Sequence, residues 1–522
     1  MKNASRIAFC VLVVSTLLLT ACVQKPQADA EIGWQGKEPY SIKSETSSEL
    51  ADRYADYEQK VDAAFTKNNP TAAADFDYEI LEDGVRITAY KGKDQVVVIP
   101  DTIEDRNVIS LGETAFKDAL VRAVKVPDRV YRIEKGAFSG CTSLSTLYLP
   151  FVGDGGDHNY FGYIFGADSY EKHPTQVPAS LDTVILGDRV TEIAENAFAG
   201  CKSLSAVSLS ANTQRIGSFA FYECKDLVLI RLGRQTSAVG SYAFGYCSAL
   251  YAIELQMVEE IGAGAFFECN ALSRMCLPFV GGTATENRYL GYVFGAEGAD
   301  YNGEFVPESL KTVQLSACAE IPDRAFADCT DIQKLEFVGS VLERVGVRAF
   351  YGCRSLTEIA LPDSVRIVAD DAFFGCDNLK KVDLGSGIEQ IGTQAFFGCL
   401  FLESISIPDK VTEIAPSAFA LCRSLECVEL NKVRKVGKDA FWGCGALTSV
   451  NCDGIEVAEG NESLLGRIAE RESNQVGFDM QICPIPAAFL LDISPICPSR
   501  KAFGLEKICC VKTARTRRRM HF

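Results

Sequence analysis

Apolar positions recur along residues 111–452 in one fixed phase. An aliphatic residue stands four positions before an Ala-Phe pair, as Leu111 does before Ala115-Phe116 and Ile391 before Ala395-Phe396. Within this stretch the pair occurs twelve times, at Phe116, Phe138, Phe198, Phe221, Phe244, Phe266, Phe326, Phe350, Phe373, Phe396, Phe419 and Phe441, and most steps are 22 to 24 residues. In eleven units a Cys follows the Phe by three, and Leu follows the Cys by three, with Ile332 the one change. Two more apolar residues complete each unit, as in Leu356-x-x-Ile359-x-Leu361 and Leu379-x-x-Val382-x-Leu384.

A unit this short cannot bury its own apolar face, so the repeat predicts a solenoid in which neighbouring turns supply one another's core. The alternation after each Leu is the period-2 mark of a short strand buried on one side. Stacked units therefore predict short parallel strands, with the Ala-Phe pair plugging the far side of every coil. Strands counted at Leu120, Leu144, Leu181 and onward to Leu447 give about 14 coils. Tyr78-Glu79-Ile80, Val85–Tyr90 and Val96–Ile99, with turns at Asp83-Gly84 and Lys91-Gly92, predict an N-terminal cap that covers the first open strand edge.

Two steps between Ala-Phe pairs are 60 residues, and each holds one elongated coil. The two inserts match: Leu149-Pro150-Phe151-Val152-Gly153 parallels Leu277-Pro278-Phe279-Val280-Gly281, and Tyr160-Phe161-Gly162-Tyr163-Ile164-Phe165 parallels Tyr289-Leu290-Gly291-Tyr292-Val293-Phe294. Phe165 and Phe294 are expected to replace the usual plug. The surplus residues are expected to bulge from one edge, so that excising 151–179 would leave the fold intact. Tyr160, Tyr163, Tyr289 and Tyr292 are candidate partner contacts, with packing inside the bulge as the alternative use of the same rings.

The 21 cysteines would suggest a disulfide framework in an exported chain, yet eleven share one repeat phase. Equivalent positions in stacked strands lie about 4.8 Å apart with parallel side-chain vectors, a poor geometry for a disulfide. Buried thiols at a tight corner are the expectation. A net charge of −17 argues against a nucleic-acid partner.

At the N-terminus Lys2 and Arg6 precede an apolar run from Ile7 to Leu19 that ends in Leu19-Thr20-Ala21-Cys22. The run is short for a spanning helix, and its end resembles a bacterial lipobox. That resemblance implies a signal peptide over 1–22, diacylation of Cys22 and display on the membrane outside the cell. Residues 23–75 read as a tether with a possible short helix, 76–452 as the solenoid, and 453–522 as an irregular tail with no evident amphipathic cap. The tail's composition leaves disorder and translation outside the natural frame both open.

Catalytic chemistry is sparse. The chain has three His, and His158 and His173 of the first insert have no His counterpart in the second. Asp154 and Asp157 read as loop chemistry, since Gly281-Gly282-Thr283-Ala284-Thr285 stands in their place in the second insert. There is no phosphate-binding loop. No enzyme activity, metal or cofactor is expected.

The run Leu361-Pro362-Asp363-Ser364-Val365-Arg366-Ile367, followed by Ala372-Phe373-Phe374-Gly375-Cys376-Asp377-Asn378-Leu379, resembles the BspA-like leucine-rich-repeat proteins of bacterial surfaces. The resemblance spans about residues 76–452. It implies a leucine-rich-repeat solenoid outside the cell and an extracellular protein ligand, with host matrix or another cell as the candidates. A glycan- or cell-wall-binding module and a structural envelope spacer are the other readings.

Overall fold

A computed structural model describes residue 65 and residues 69–339, 341–452 and 455–475. Cys22, the 1–22 signal reading and nearly all of the 23–75 tether lie outside the described residues. The described chain is a parallel-strand solenoid. Fifteen strands, from Val96–Val98 through Ser449–Asn451, form one long ladder, hydrogen-bonded as a sheet of six followed by a sheet of nine. The first strand belongs to the cap, so fourteen coil strands plus the cap match the periodicity. Two-residue strands such as Gln390–Ile391 and Glu413–Ile414 form a second ladder.

The first coil departs from the expected register. Leu120 is 73 % exposed, and Val121, Val124 and Val126 take the three inward positions. The spacing explains this: Val121-x-x-Val124-x-Val126 has the same steps as Leu144-x-x-Leu147-x-Leu149, whereas Leu120 falls one residue early.

Each coil is closed by the same bonding set. The N–H of nine of the twelve plug Phe residues donates to the Ala carbonyl of the next coil, as Phe373 does to Ala395 at 2.7 Å. Its ring stacks on the plug rings above and below, 5.0 Å between centroids on both sides of Phe373. Its carbonyl accepts twice: for Phe221, the amide of Cys224 at 3.1 Å and the thiol of Cys247 at 3.1 Å. Nine ladder cysteines donate Sγ–H to the preceding Phe carbonyl in this way, from Cys141 at 2.9 Å to Cys399 at 3.4 Å. A thiol is thus small enough for the corner and still a donor for a buried lone pair, which alanine or valine would leave unused.

The fifteen described cysteines are all free thiols, and all but Cys427 and Cys452 are buried. Burial pushes the Cys141 and Cys444 thiols up to about 12 and raises the inner ones further. Nucleophilic thiolate is therefore scarce along the ladder. A membrane-impermeant maleimide at pH 7.5 is expected to leave Cys376 and Cys399 unlabelled until denaturant is added while Cys427 reacts. Peptide mapping that found the three labelled at one rate would contradict the buried rung.

The inserts carry core, not only surplus. In the first, Phe165 meets Phe138 at 6.2 Å and Phe161 meets Phe198 at 4.8 Å, so two rings span the gap that one fills elsewhere. The ladder bonds pass through them, Phe138 N–H to Ile164 and Phe161 N–H to Ala197. Phe294 meets Phe266 at 6.5 Å in the second insert, where buried Leu290 holds the place of Phe161. Excising 151–179 would therefore remove a coil, contrary to the sequence expectation. Both inserts turn at a glycine in the left-handed region, Gly166 with φ 99° and Gly295 with φ 97°, a conformation glycine adopts without steric cost.

The ends are covered. Phe76–Ile80 pairs antiparallel with Val85–Tyr90, which joins Arg106–Leu111 in parallel, and the Tyr90 ring starts the plug stack 5.5 Å from Phe116. At the other end the repeat continues past 452 to Glu456–Val457, and a helix follows over Glu462–Gln475. Leu464 is buried and Ile468, one turn on, packs against the core, an i, i+4 pair that corrects the expectation of an irregular tail without a cap. Asn461 finishes the last rung: its Oδ1 accepts the Phe441 N–H at 2.9 Å, where another coil would have offered a peptide carbonyl.

Candidate functional site: the outward face of the long ladder and the two inserts

Strand geometry places alternate residues on opposite faces. The inward row repeats one chemistry, Val207, Ile230, Ile253, Met275, Val313, Leu335, Ile359, Val382, Ile405 and Val428, all buried. The outward positions vary from coil to coil. Toward the C-terminal end they are exposed and polar, with Glu358, Lys381, Asp383, Ser404, Ser406 and Glu429 in consecutive rungs.

In the middle of the face the expected exposure fails. Ala206, Leu229, Ala252 and Cys276 are between 1 % and 7 % exposed although they point outward. Neighbouring rungs lie about 4.8 Å away on either side, within reach of longer side chains, and Glu254 and Arg274 stand beside Cys276 in this way. A polar cluster occupies the same stretch. Arg274 bonds Glu336 at 3.0 Å, Lys334 reaches the other Glu336 oxygen at 3.0 Å, and burial raises the Glu254 carboxyl with Arg274 acting against it. Gln314, which the sequence pattern does not single out, is 9 % exposed, and its Oε1 has no hydrogen-bond partner, nor has the Arg274 Nε. Buried polar atoms are normally satisfied, so this patch of the face has bonding capacity to spare.

The four candidate tyrosines sit in matched pairs on the two inserts. Tyr160 and Tyr163 meet edge to face at 5.9 Å, and Tyr289 and Tyr292 at 6.0 Å. The Tyr160 hydroxyl donates to the Ala167 carbonyl and the Tyr289 hydroxyl to Ala296, each at 3.2 Å. All four rings are half-buried. The Tyr160 and Tyr289 hydroxyls are thus used to close the insert loops, the Tyr292 hydroxyl is engaged by Asn287 and the Ala263 backbone, and the rings of each pair meet within their own insert.

Asp154 is likewise engaged by its own loop. Its carboxylate accepts the Gly156 and His158 amides at 2.7 and 3.1 Å and pairs with the His158 ring at 2.8 Å. Burial opposes ionisation there, but these bonds hold its pKa below the usual carboxylate value.

His173 does have a counterpart, of another residue type. Asn302 lies four residues before Val306-Pro307, as His173 lies four before Val177-Pro178. Both are fully buried. Asn302 accepts the Gly291 amide at 2.8 Å and donates to the Arg324 carbonyl at 3.1 Å. His173 bonds the Ala199 carbonyl through Nδ1 at 2.9 Å, and its Nε2 has no partner. Burial lowers its pKa to about 4. The shared offset from Val-Pro was the signal that could have revealed the pair.

On the short-strand side a cleft of about 680 Å³ lies beside the second insert, floored by Phe279, Val280 and Cys318. Of its lining charges, Arg288 pairs with Glu320 at 2.6 Å inside the cleft, while Arg344 and Arg366 reach Asp323 and Glu389 outside the lining at 3.1 Å each. No described helix is long and apolar enough to cross a membrane.

Comparison with solved structures found a leucine-rich repeat protein from Bacteroides ovatus, 22% identical over 75% of this chain and 99% of that one with a TM-score of 0.32. A leucine-rich cell surface protein from Faecalibacterium prausnitzii is 23% identical over 77% and 98%, with a TM-score of 0.28. The T. pallidum leucine-rich repeat protein is 20% identical over 64% and 91%, with a TM-score of 0.16. No curated protein matched. The family model described as the BspA type leucine-rich repeat region matches residues 99–154, 177–281, 302–359 and 343–459, six copies in all. With the matched copies covering more than half of its length, the chain belongs to the BspA-type leucine-rich-repeat family.

Proposed function

We propose that this is a non-enzymatic, lipid-anchored surface protein that holds a protein partner on the outward face of its long ladder, in adhesion to host matrix or to other cells. The observation that carries the reading is the contrast between the two rows of each strand: uniformly apolar and buried inward, varied in chemistry outward. A repeated core supplies rigidity, and a varied face supplies a surface on which one partner can be told from another. The stretch around the Arg274–Glu336 pair, where Arg274 Nε and Gln314 Oε1 lack partners, is the part of that face with most to gain from contact. Cys22 supplies the anchor. The tyrosine pairs are assigned to holding the inserts, with their outer ring edges as a secondary contact.

A panel of immobilised matrix proteins and polysaccharides, probed with the purified protein, tests this. Saturable binding to a protein is expected, weakened about tenfold or more by Arg274→Ala and Glu336→Ala together, as for a contact worth at least about 1.4 kcal/mol. Binding to polysaccharide alone, or to nothing, would overturn the reading. Cys22→Ala is expected to move the protein from the membrane fraction to the soluble one.

A further inference from the structure

Two backbone positions in each standard coil are left-handed, the residue before the Ala-Phe pair and the residue two after the Phe. Side chains at these positions, and at the residue directly after the plug Phe, form the outer edge of the turn. Glycine fills the second left-handed position at Gly200, Gly352, Gly375, Gly398 and Gly443. Between residues 219 and 268 seven of the nine such positions hold Phe219, Tyr222, Glu223, Tyr242, Tyr246, Phe267 and Glu268, with Gly245 and Gly264 at the other two. Phe219, Tyr242 and Tyr246 have φ of 56°, 54° and 60°. Bulky residues rarely occupy this region, and such strain persists where something else selects the side chain.

The rings form one cluster. Phe219 and Tyr242 lie parallel at 5.4 Å, while Tyr222 meets Tyr246, and Tyr246 meets Phe267, nearly at right angles, each at 5.4 Å. All five are half-buried. Burial, with Tyr246 and Glu223 adding to it, raises the Tyr222 phenol to about 12, and burial with Glu268 and Glu223 raises the Tyr246 phenol above its ordinary value. Glu223 and Glu268 supply that negative field, and neither forms an ion pair among the described residues.

We propose that this aromatic and acidic edge receives a lysine- or arginine-bearing segment of a protein partner, its cationic groups resting on the rings and pairing with Glu223 and Glu268. The proposal rests on the reading of the molecule as a protein-binding scaffold and adds a second contact surface to it. The chain provides its own precedent further along the repeat. Arg348 and Tyr351 occupy the repeat positions of Phe219 and Tyr222, and there the guanidinium lies 5.8 Å from the ring centre. Cations are attracted to ring faces with or without a carboxylate, and more strongly where water is partly excluded. A glycan fits less well, because stacking a sugar calls for a flat platform, whereas Phe219 and Tyr242 stack on each other and the remaining ring contacts are nearly perpendicular.

The test uses the full-length protein at 0.15 M salt, ionic strength that screens long-range attraction by its −17 charge. The probe is a decapeptide of alternating arginine and serine, with the same peptide carrying neutral citrulline for arginine as control. Calorimetry is expected to show binding of the arginine peptide only. The pair Tyr222→Leu and Tyr246→Leu keeps apolar bulk but removes the π faces, and the pair Glu223→Gln and Glu268→Gln removes the charge. Each pair is expected to weaken binding about fivefold or more, whereas Glu403→Gln with Glu426→Gln, an equal charge change at exposed sites elsewhere, leaves it unaltered. The carboxamide pair keeps the test sound if the leucine pair folds poorly. Equal losses in patch and control variants, no binding of the peptide, or patch-dependent binding of a chito-oligosaccharide in its place would overturn the proposal. Continued binding of a matrix protein by the patch variants would overturn this edge alone and leave the ladder-face reading standing.

Discussion

Phe373→Ala is expected to cost about 3–5 kcal/mol of stability. The ring is fully buried in the middle of the plug stack, 5.0 Å from Phe350 on one side and from Phe396 on the other. Truncation leaves a ring-sized void with a stiff wall on each side, since both neighbours are held by backbone bonds to the next coil. The Phe373 peptide group keeps its bonds to Ala395 and Cys399 in the variant, so the loss is one of packing alone. Phe401→Ala is the matched control: that ring is 48 % exposed, and its loss is expected to fall within about 0.5 kcal/mol. Guanidinium titration by circular dichroism, with the transition inspected for the loss of cooperativity that repeat arrays permit, compares the two. Similar midpoints for both variants would contradict the buried stack.

Acid is expected to destabilise the first insert through His173. The ring is buried, Nδ1 bonds the Ala199 carbonyl, and the groups facing it are the Tyr160 ring at 5.7 Å and the Cys201 thiol at 3.9 Å, with no carboxylate to stabilise a charge. Its pKa falls from 6.5 in the unfolded chain to about 4 in the folded one. The unfolded state therefore binds the proton first as pH drops. This contribution is fully present above about pH 6.5, declines from there to about pH 4, and amounts to about 3 kcal/mol across the window. His173→Asn, which borrows the residue used at Asn302, is expected to flatten that part of the pH profile while keeping the insert folded. Asn302→His is expected to introduce the same acid lability into the second insert. A His173→Asn profile parallel to that of the unaltered protein between pH 4 and 6.5 would contradict the assignment.

How much of this could be read from the chain depends on which features repeat. The plug Phe, the corner Cys and the strand aliphatics recur in twelve or so copies, so their common burial followed from phase alone. The matched inserts were visible for the same reason. What escaped were contacts between unlike residues a coil apart. The bond from Cys247 to the Phe221 carbonyl links positions 26 apart, and only the stacking distance brings them together. The Asn302 and His173 pair was hidden because the two inserts share a buried hydrogen-bonding role there and not a residue type. Outward burial at Ala206, Ala252 and Cys276 was missed because it depends on the length of the neighbours' side chains, which a single unit does not contain. The candidate tyrosines could be found from the echo between inserts, but the internal use of the Tyr160 and Tyr289 hydroxyls required the loop geometry.

One uninterrupted ladder of plug residues runs through every coil, inserts included. Amide hydrogen exchange read by mass spectrometry addresses this directly, because each plug Phe N–H, from Phe138 to Phe441, is bonded to the next coil, the next insert or Asn461. Strong protection is expected at all of these positions, including Phe138, Phe161 and Phe266, which bond across the inserts. Plug amides in the inserts or in any run of coils that exchanged as fast as the outer turns would contradict it.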